Sequence, residues 1–340
     1  MKKNRLATYL SIAILLTACS QTKTVQQSPL STQVELESTW KYLEKFQEIA
    51  DQNNNNRAVG SPGGIASTDY ITNTLKEFGL YPQIQDFTNS KGGKGKNVIV
   101  EIKGQSDSVT MIGAHYDSVE FGPGINDNAT GTAILLEIIS KIQSQKITPK
   151  HTLRFAFWDS EEVGVAGSKH YVSQLNELQK KYIAQYINVD MVGTKDPTIL
   201  ILDGDGTSWS RQQAELLDSV KTEEDRANII ELINGMKNAY PKQVKGAEKL
   251  EKIYGDYLNS KDVKFADDYM ISNSTDVFPF LGLVPTFGLI MTNEKSQDDG
   301  VLLYAPCYHQ ACDDIKNVDR KSLQIALESI THLIEQVAIK

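Results

Sequence analysis

Outside residues 6–16 the chain has no long apolar run, so no other segment approaches the roughly 20 residues that a membrane-spanning helix requires. Basic residues are in the minority, with 35 Lys and Arg against 43 Asp and Glu and a formal net charge of −8. Such an acidic balance argues against nucleic acid and anionic lipid as partners. The glycine-rich segment Gly60-Ser61-Pro62-Gly63-Gly64 lacks both a preceding strand and a following Gly-Lys-Ser/Thr, which excludes a phosphate cradle. Cysteine and histidine are scarce, three and five in 340 residues, so the position of each carries information.

The first cysteine stands behind a leader. Met1-Lys2-Lys3-Asn4-Arg5 precedes the apolar run Leu6 to Leu16, and Leu16-Thr17-Ala18-Cys19 follows. A positive region, a short apolar region and small residues read as a secretory signal over 1–18. A cysteine directly after Leu-Thr-Ala resembles the bacterial lipobox, in which that residue is acylated and becomes the new N-terminus. Cys19 is thus expected to tether an exported chain, facing the periplasm or the extracellular side, with the lipid as its only membrane contact. Loss of Lys2, Lys3 and Arg5 would leave 32 basic against 43 acidic residues, a net charge of −11. Residues 19–38, rich in Gln, Thr and Ser, read as a flexible tether. In an exported protein the two remaining cysteines, Cys307 and Cys312, are expected to pair.

From residue 39 onward the pattern is that of one α/β domain, a class whose doubly wound members reach this length as a single unit. Trp40, Leu43, Phe46 and Ile49 predict a first helix, and Tyr70, Ile71, Leu75 and Phe78 a second. Strands are expected at 83–87, 97–102, 109–113, 153–158, 183–191, 198–202 and 285–291, with a buried helix over 130–142 and a long amphipathic helix over 318–339. Near-continuous apolar strands alternating with helices predict a largely parallel sheet covered on both faces. Residues 207–260 are charge-rich and helical. They read as a surface helical pair, or as an elaboration beside the active-site mouth.

Acidic and imidazole side chains recur where apolar strands end. Val109 to Ile112 runs into Gly113-Ala114-His115-Tyr116-Asp117-Ser118-Val119, and the loop continues through Gly124-Ile125-Asn126-Asp127-Asn128. Leu153 to Trp158 runs into Asp159-Ser160-Glu161-Glu162, and Tyr186 to Val189 into Asp190. A packed histidine and a helix-capping aspartate would explain His115 and Asp127 alone. Carboxylates gathered at several strand ends are costly unless a cation neutralises them, which points to a shared divalent-metal cluster. His309, between Cys307 and Cys312, is a further candidate ligand. Two imidazoles and several carboxylates suit zinc, and five ligands with one shared acid suit two zinc ions.

With those motifs and Cys307-Tyr308-His309-Gln310-Ala311-Cys312, the sequence resembles the bacterial exported two-zinc aminopeptidases, relatives of the glutaminyl cyclases, from about residue 56 to the C-terminus. The resemblance implies a zinc peptidase domain over 39–340, built as a single α/β domain with a mixed, largely parallel central sheet flanked by helices on both faces. It further implies that His115 and Asp190 hold one zinc, that Glu162 and His309 hold the other, and that Asp127 bridges both. Asp117 would orient His115. Glu161 would be the general base and Tyr308 an oxyanion donor. The implied substrates are peptides with a free N-terminus, held through the amine by Glu161 and Asp190. A large apolar first residue is expected, from the resemblance and from Phe278-Pro279-Phe280-Leu281.

The chain departs from the pattern at Ser274-Thr275-Asp276, where relatives often carry Gly-Arg-Ser-Asp, and it has no room for a protease-associated insert between the strands near Phe87 and Asn97. Asp203-Gly204-Asp205-Gly206-Thr207 has a faint calcium-loop look without the downstream Glu and reads as a turn. The alternatives are a single-zinc glutaminyl cyclase-like acyltransferase and a non-catalytic peptide-binding lipoprotein. The leader reading predicts an acylated Cys19 in the mature N-terminal peptide and a soluble or unprocessed Cys19→Ser protein. Mass spectrometry of the native N-terminus checks this, and an unlipidated terminus elsewhere would end the idea.

Overall fold

The computed structural model describes residues 28–239, 241–269, 271, 275–296 and 302–340. The expected leader 1–18, Cys19 and Ser274 lie outside the described residues. Eight strands form one sheet: β1 Gln83–Thr88, β2 Lys94–Ile102, β3 Ser106–His115, β4 His151–Trp158, β5 Ile183–Asp190, β6 Thr198–Leu202, β7 Ala266–Asp268 and β8 Thr286–Thr292. Their spatial order is β1-β2-β4-β3-β5-β8-β6-β7. The central four, β4, β3, β5 and β8, are parallel, whereas β1, β2 and β6 pair antiparallel to their inner neighbours. The sheet is therefore mixed and largely parallel, as expected. Its parallel centre ends β3, β4 and β5 at one edge, at His115, Trp158 and Asp190.

Helices cover both faces because the central strands present apolar side chains on both. The main core joins Val98, Val100, Ile112, Phe155, Ile187 and Phe287 to α1 (Leu36–Gln52), α3 (Thr130–Ser144), α8 (Ala247–Ser260) and α9 (Arg320–Ile334). Every Ile and Leu of α3 from Ile134 to Ile142 is buried, and each such side chain contributes about 1.5–3 kcal/mol relative to exposure. On the opposite face, Met111, Trp158 and Tyr186 meet Tyr171 of α4 (Ala166–Gln174), together with Phe280. The Phe280 ring lies 3.7 Å from that of Tyr186, nearly parallel to it.

Two expectations need correction. The tether does not extend to residue 38, because Leu30 and Val34 enter the main core and α1 begins at Leu36. The 207–260 region is not all elaboration. Helices α6 (Thr207–Ser219) and α7 (Glu223–Ala239) leave Leu216 and Leu232 exposed, but α8 buries Leu250, Tyr254 and Leu258 in the main core. The terminal helix, expected from about 318 to 339, is present: it starts at Arg320, capped by the Asp319 side chain on the Ser322 N–H, and widens into a π-turn over Glu335–Ile339.

Glu137 of α3 ties the N-terminal segment down. Its buried carboxylate accepts from the Glu35 N–H at 2.9 Å, and Lys141, which also pairs with Glu35, lies 3.7 Å away. Burial pushes this carboxyl up to about 7 from 4.5. With the folded value raised, the group's contribution to stability is fully present below pH 4.5 and lost as the pH rises through 7. Glu137→Gln, which keeps the acceptor oxygen, should melt a few degrees above the wild type at pH 8, and the gap should shrink at pH 5. Equal shifts at both pH values in a calorimetric scan would refute this.

Candidate metal centre

His115 ends β3, and the loop that follows doubles back to bring Asp127 beneath it. The imidazole is 1% exposed. Nδ1 can donate to the Asp117 carbonyl at 3.2 Å and faces Asp117 Oδ1 at 3.4 Å, which leaves Nε2 free as a ligand. That Nε2 lies 3.2 Å from Asp127 Oδ1 and 3.4 Å from Asp190 Oδ1. On the other side, His309 Nε2 lies 3.4 Å from Asp127 Oδ2 and 3.0 Å from Glu162 Oε2. The two oxygens of Asp127 thus face different imidazoles.

The electrostatics show why this cluster suits cations. Burial pushes the carboxyls of Glu162, Asp276 and Asp313 up to about 7, while Glu161 and Asp190 are also raised, first by burial and then by neighbouring acids. Asp127 is the exception: His115 and His309 outweigh its burial and hold it below the usual range. Burial disfavours charge on His115, yet Asp190, Asp117 and Asp127 hold its pKa well above the ordinary value. Glu162 Oε1 and Asp117 Oδ2 are buried without a hydrogen-bond partner, at a cost of about 1–3 kcal/mol each if left so. Ligand atoms about 2.0–2.2 Å from a tetrahedral zinc lie roughly 3.3–3.5 Å apart. The imidazole-to-carboxylate separations fall at or close to that value. The donor set therefore fits two cations, in the groups His115, Asp127, Asp190 and Asp127, Glu162, His309.

Left-handed backbone conformations concentrate here. Ser160, Val165, Met191, Cys307 and His309 all have φ between 48° and 62°, a region that non-glycine residues occupy at a cost of order 1–3 kcal/mol each. Ser160 and Val165 bracket the tight turn that carries Glu161 and Glu162 out of β4. The Glu161 N–H donates to Asp117 Oδ1 at 3.1 Å, so Asp117 touches both the His115 imidazole and the glutamate turn. Cys307 and Cys312 form the expected disulfide, with a Cα separation of 5.3 Å. Within that loop the Tyr308 ring stacks on His309 at 3.7 Å. Burial, then Asp127, Glu162, Glu161 and Asp190, push its phenol far above the ordinary range and keep it a proton donor.

Several residues that hold the centre were not identified from the sequence. Asp313 is buried and accepts the backbone N–H groups of Asn126 and Asp127 at 3.2 and 3.1 Å, joining the disulfide loop to the Asp127 loop. Asn128 Oδ1 accepts from the N–H groups of Gly131 and Met191, and Asn126 Oδ1 from Gly193 N–H, stitching Asp127 to the end of β5. Their position on either side of Asp127 was the available signal. Two expectations change meaning. Phe280 and Leu281, part of the apolar run expected to bear on the first substrate residue, are buried in the core, with Phe280 on Tyr186. Asp276 is fully buried, accepting from Ser168 Oγ at 2.5 Å with Oδ2 unpartnered. The Asp203 carboxylate accepts three backbone N–H groups, from Asp205, Gly206 and Ser208, in keeping with a turn.

A sequence profile for Peptidase family M28 matches residues 97–334. The chain is 38% identical over 184 residues to leupeptin-inactivating enzyme 1 of Streptomyces exfoliatus, covering 54% of this chain and 42% of that protein. It is 31% identical over 251 residues to an aminopeptidase of Pseudomonas aeruginosa, covering 72% and 41%, and 33% identical over 243 residues to the probable lipoprotein aminopeptidase LpqL of Mycobacterium tuberculosis, covering 68% and 43%. The chain thus spans about two-fifths of the length of these curated relatives. Its fold is similar to that of a zinc aminopeptidase from Bacillus subtilis, with a TM-score of 0.66 at 14% identity over 90% of this chain and 96% of that one. It is also similar to Porphyromonas gingivalis glutaminyl cyclase, with a TM-score of 0.62 at 19% identity over 89% and 99%.

The donor geometry separates two adjacent glutamates. Glu162→Gln should weaken zinc binding about tenfold or more, because it replaces the anionic carboxylate facing His309 with a neutral amide. Glu161→Gln should leave zinc stoichiometry unchanged. Isothermal titration of each variant decides, and the reverse pattern would invert the pair.

Proposed function

Because the chain belongs to Peptidase family M28, we propose that it is a zinc-dependent exopeptidase that removes the N-terminal residue from peptides with a free amino group. The observation that carries this reading is Asp127, one carboxylate set between two imidazoles, each with a further acid beside it. His115 and Asp190 would hold one zinc, Glu162 and His309 the other, with Asp127 shared. Zinc bound there supplies Lewis-acid polarisation of the scissile carbonyl and a lowered pKa for a coordinated water.

The remaining work falls to the chain's own side chains. Glu161, the acid left over from the two ligand groups, takes a proton from the attacking water and returns it to the departing amine. Its raised affinity for protons, from burial with Asp276, Asp190 and Glu162 nearby, suits that shuttle. Tyr308 Oη donates to the carbonyl oxygen as it gains negative charge. The substrate ammonium is held against Glu161 and Asp190, which selects unblocked peptides. The disulfide supports an oxidising, exported location, with a lipid on Cys19 as the membrane contact.

Metal analysis of dialysed protein should give two zinc ions per chain, falling to one in His115→Ala. A panel of peptides should release free N-terminal amino acids, with kcat lowered about 10²-fold or more in Glu161→Gln. One zinc in the wild type, none lost on the His115 substitution, and pyroglutamate as product would assign the protein to the cyclases instead. A cyclase with a single zinc leaves His115 and Asp190 without a task.

A further inference from the structure

Arg57 lies in the segment between α1 and α2 (Pro62–Glu77), outside both ligand groups, and its side chain is fully buried. Its guanidinium fork is used on one loop. Nε donates to the Pro123 carbonyl at 2.9 Å, Nη2 to the Gly124 carbonyl at 2.5 Å and Nη1 to the Tyr116 carbonyl. Its backbone N–H donates to Ser118 Oγ at 2.8 Å, and the Ser118 N–H returns a bond to the Arg57 carbonyl at 3.4 Å. The Phe46 ring closes the other side, 5.2 Å from Cζ. Every one of these polar partners belongs to residues 116–124, the loop that runs from His115 toward Asp127.

The chain is shaped to put Arg57 there. A Cβ on Gly63 would meet the Asn56 carbonyl oxygen at 2.0 Å, and one on Gly64 the Ala58 carbonyl oxygen at 2.2 Å. The glycine pair thus lets residues 56–58 lie directly on the start of α2. Burial lowers the Arg57 pKa to about 10, opposed by Asp117, Asp313, Asp127 and Glu162, so the group stays charged at neutral pH. A buried cation bonded to carbonyls rather than to a carboxylate is costly. Planar multidentate donation is what guanidinium offers and ammonium does not.

We propose that Arg57 is a positioning residue of the metal centre: its fork fixes the 116–124 loop so that His115, with Asp117 behind it, and Asp127 converge on one site. This rests on the zinc reading above. Arg57→Lys keeps the charge and loses the fork, whereas Arg57→Met loses both. For full-length protein, zinc affinity by chelator competition, melting temperature with and without zinc, and kcat and KM are compared. Both variants should bind zinc about 10- to 100-fold more weakly. In the lysine variant kcat at saturating zinc should fall with KM within about threefold of the wild type, and the zinc-free melting temperature should drop by no more than a few degrees.

Rescue of zinc affinity by lysine would overturn the proposal, because the fork would then be dispensable. Lower melting temperatures with unchanged zinc affinity would overturn it too, leaving Arg57 a packing residue. Should Arg57→Met fail to fold, Ser118→Ala, which removes the acceptor for the Arg57 backbone N–H without a large cavity, takes its place. It should weaken zinc binding as well, and unchanged affinity in both it and Arg57→Lys counts against the proposal. Wild-type protein that binds no zinc would sink the metal-centre reading itself. A zinc-binding wild type with equally tight variants sinks only the role of Arg57.

Discussion

The crowding of buried carboxylates at one edge of the sheet governs the rest of the structure. Asp117, Asp127, Asp159, Glu161, Glu162, Asp190, Asp276 and Asp313 gather with two imidazoles and one guanidinium, and most of these acids are shielded from water. Burial first, and neighbouring acids second, push Asp159, Glu162, Asp276 and Asp313 to about 7. A bound cation would resolve the conflict at the centre. Around it the chain uses backbone N–H groups: Asp313 takes two, Asp117 takes one from Glu161, and Asp159 takes those of Lys96 and Ser160.

The sheet supplies the convergence that such a cluster needs. Parallel pairing of β3 with β4 and β5 sets His115 opposite Trp158 and Gly113 opposite Asn188, so the loops leaving all three strands begin side by side. Helix α3 starts at Thr130, three residues past Asp127, and its positive N-terminal end favours a carboxylate there. Close approach is possible because Gly131 carries no side chain, since a Cβ would lie 2.5 Å from the Val189 carbonyl oxygen. The apolar burial of α3 thus fixes the position of a polar group.

What was legible in the sequence follows from this layout. Strand and helix alternation gave the parallel centre, and acids at the ends of apolar strands marked His115, Asp127, Glu161, Glu162 and Asp190 because the change from apolar to charged is local. Arg57 and Asp313 escaped because their partners are remote in sequence: Arg57 acts on residues 116–124, and Asp313 on residues 126 and 127. A turn containing arginine and a loop aspartate look ordinary until the fold closes. Leu30 and Val34 escaped for a different reason, since two apolar residues in a polar stretch carry no period, and only their burial in the main core, with the Leu30–Thr32 turn against α9, reveals them. Phe280 and Leu281, part of an apolar run expected near the site, are both buried: Phe280 stacks on Tyr186, and Leu281 packs with Leu202, Ile271 and Val277.

The two halves of the centre are held by different physics. His115 is 1% exposed and needs no covalent restraint, because β3, Asp117 and the surrounding core fix it. The His309 side chain is 39% exposed on a loop with φ near 57°, where apolar burial has little to offer. Restraint there comes from the Cys307–Cys312 bond, which limits the unfolded alternatives of the loop, and from Asp313, which anchors its far end to the backbone of Asp127. Stacking of Tyr308 on His309 then aligns the phenol with the imidazole. The open side of the centre is thereby as well defined as the closed one, while still facing the solvent.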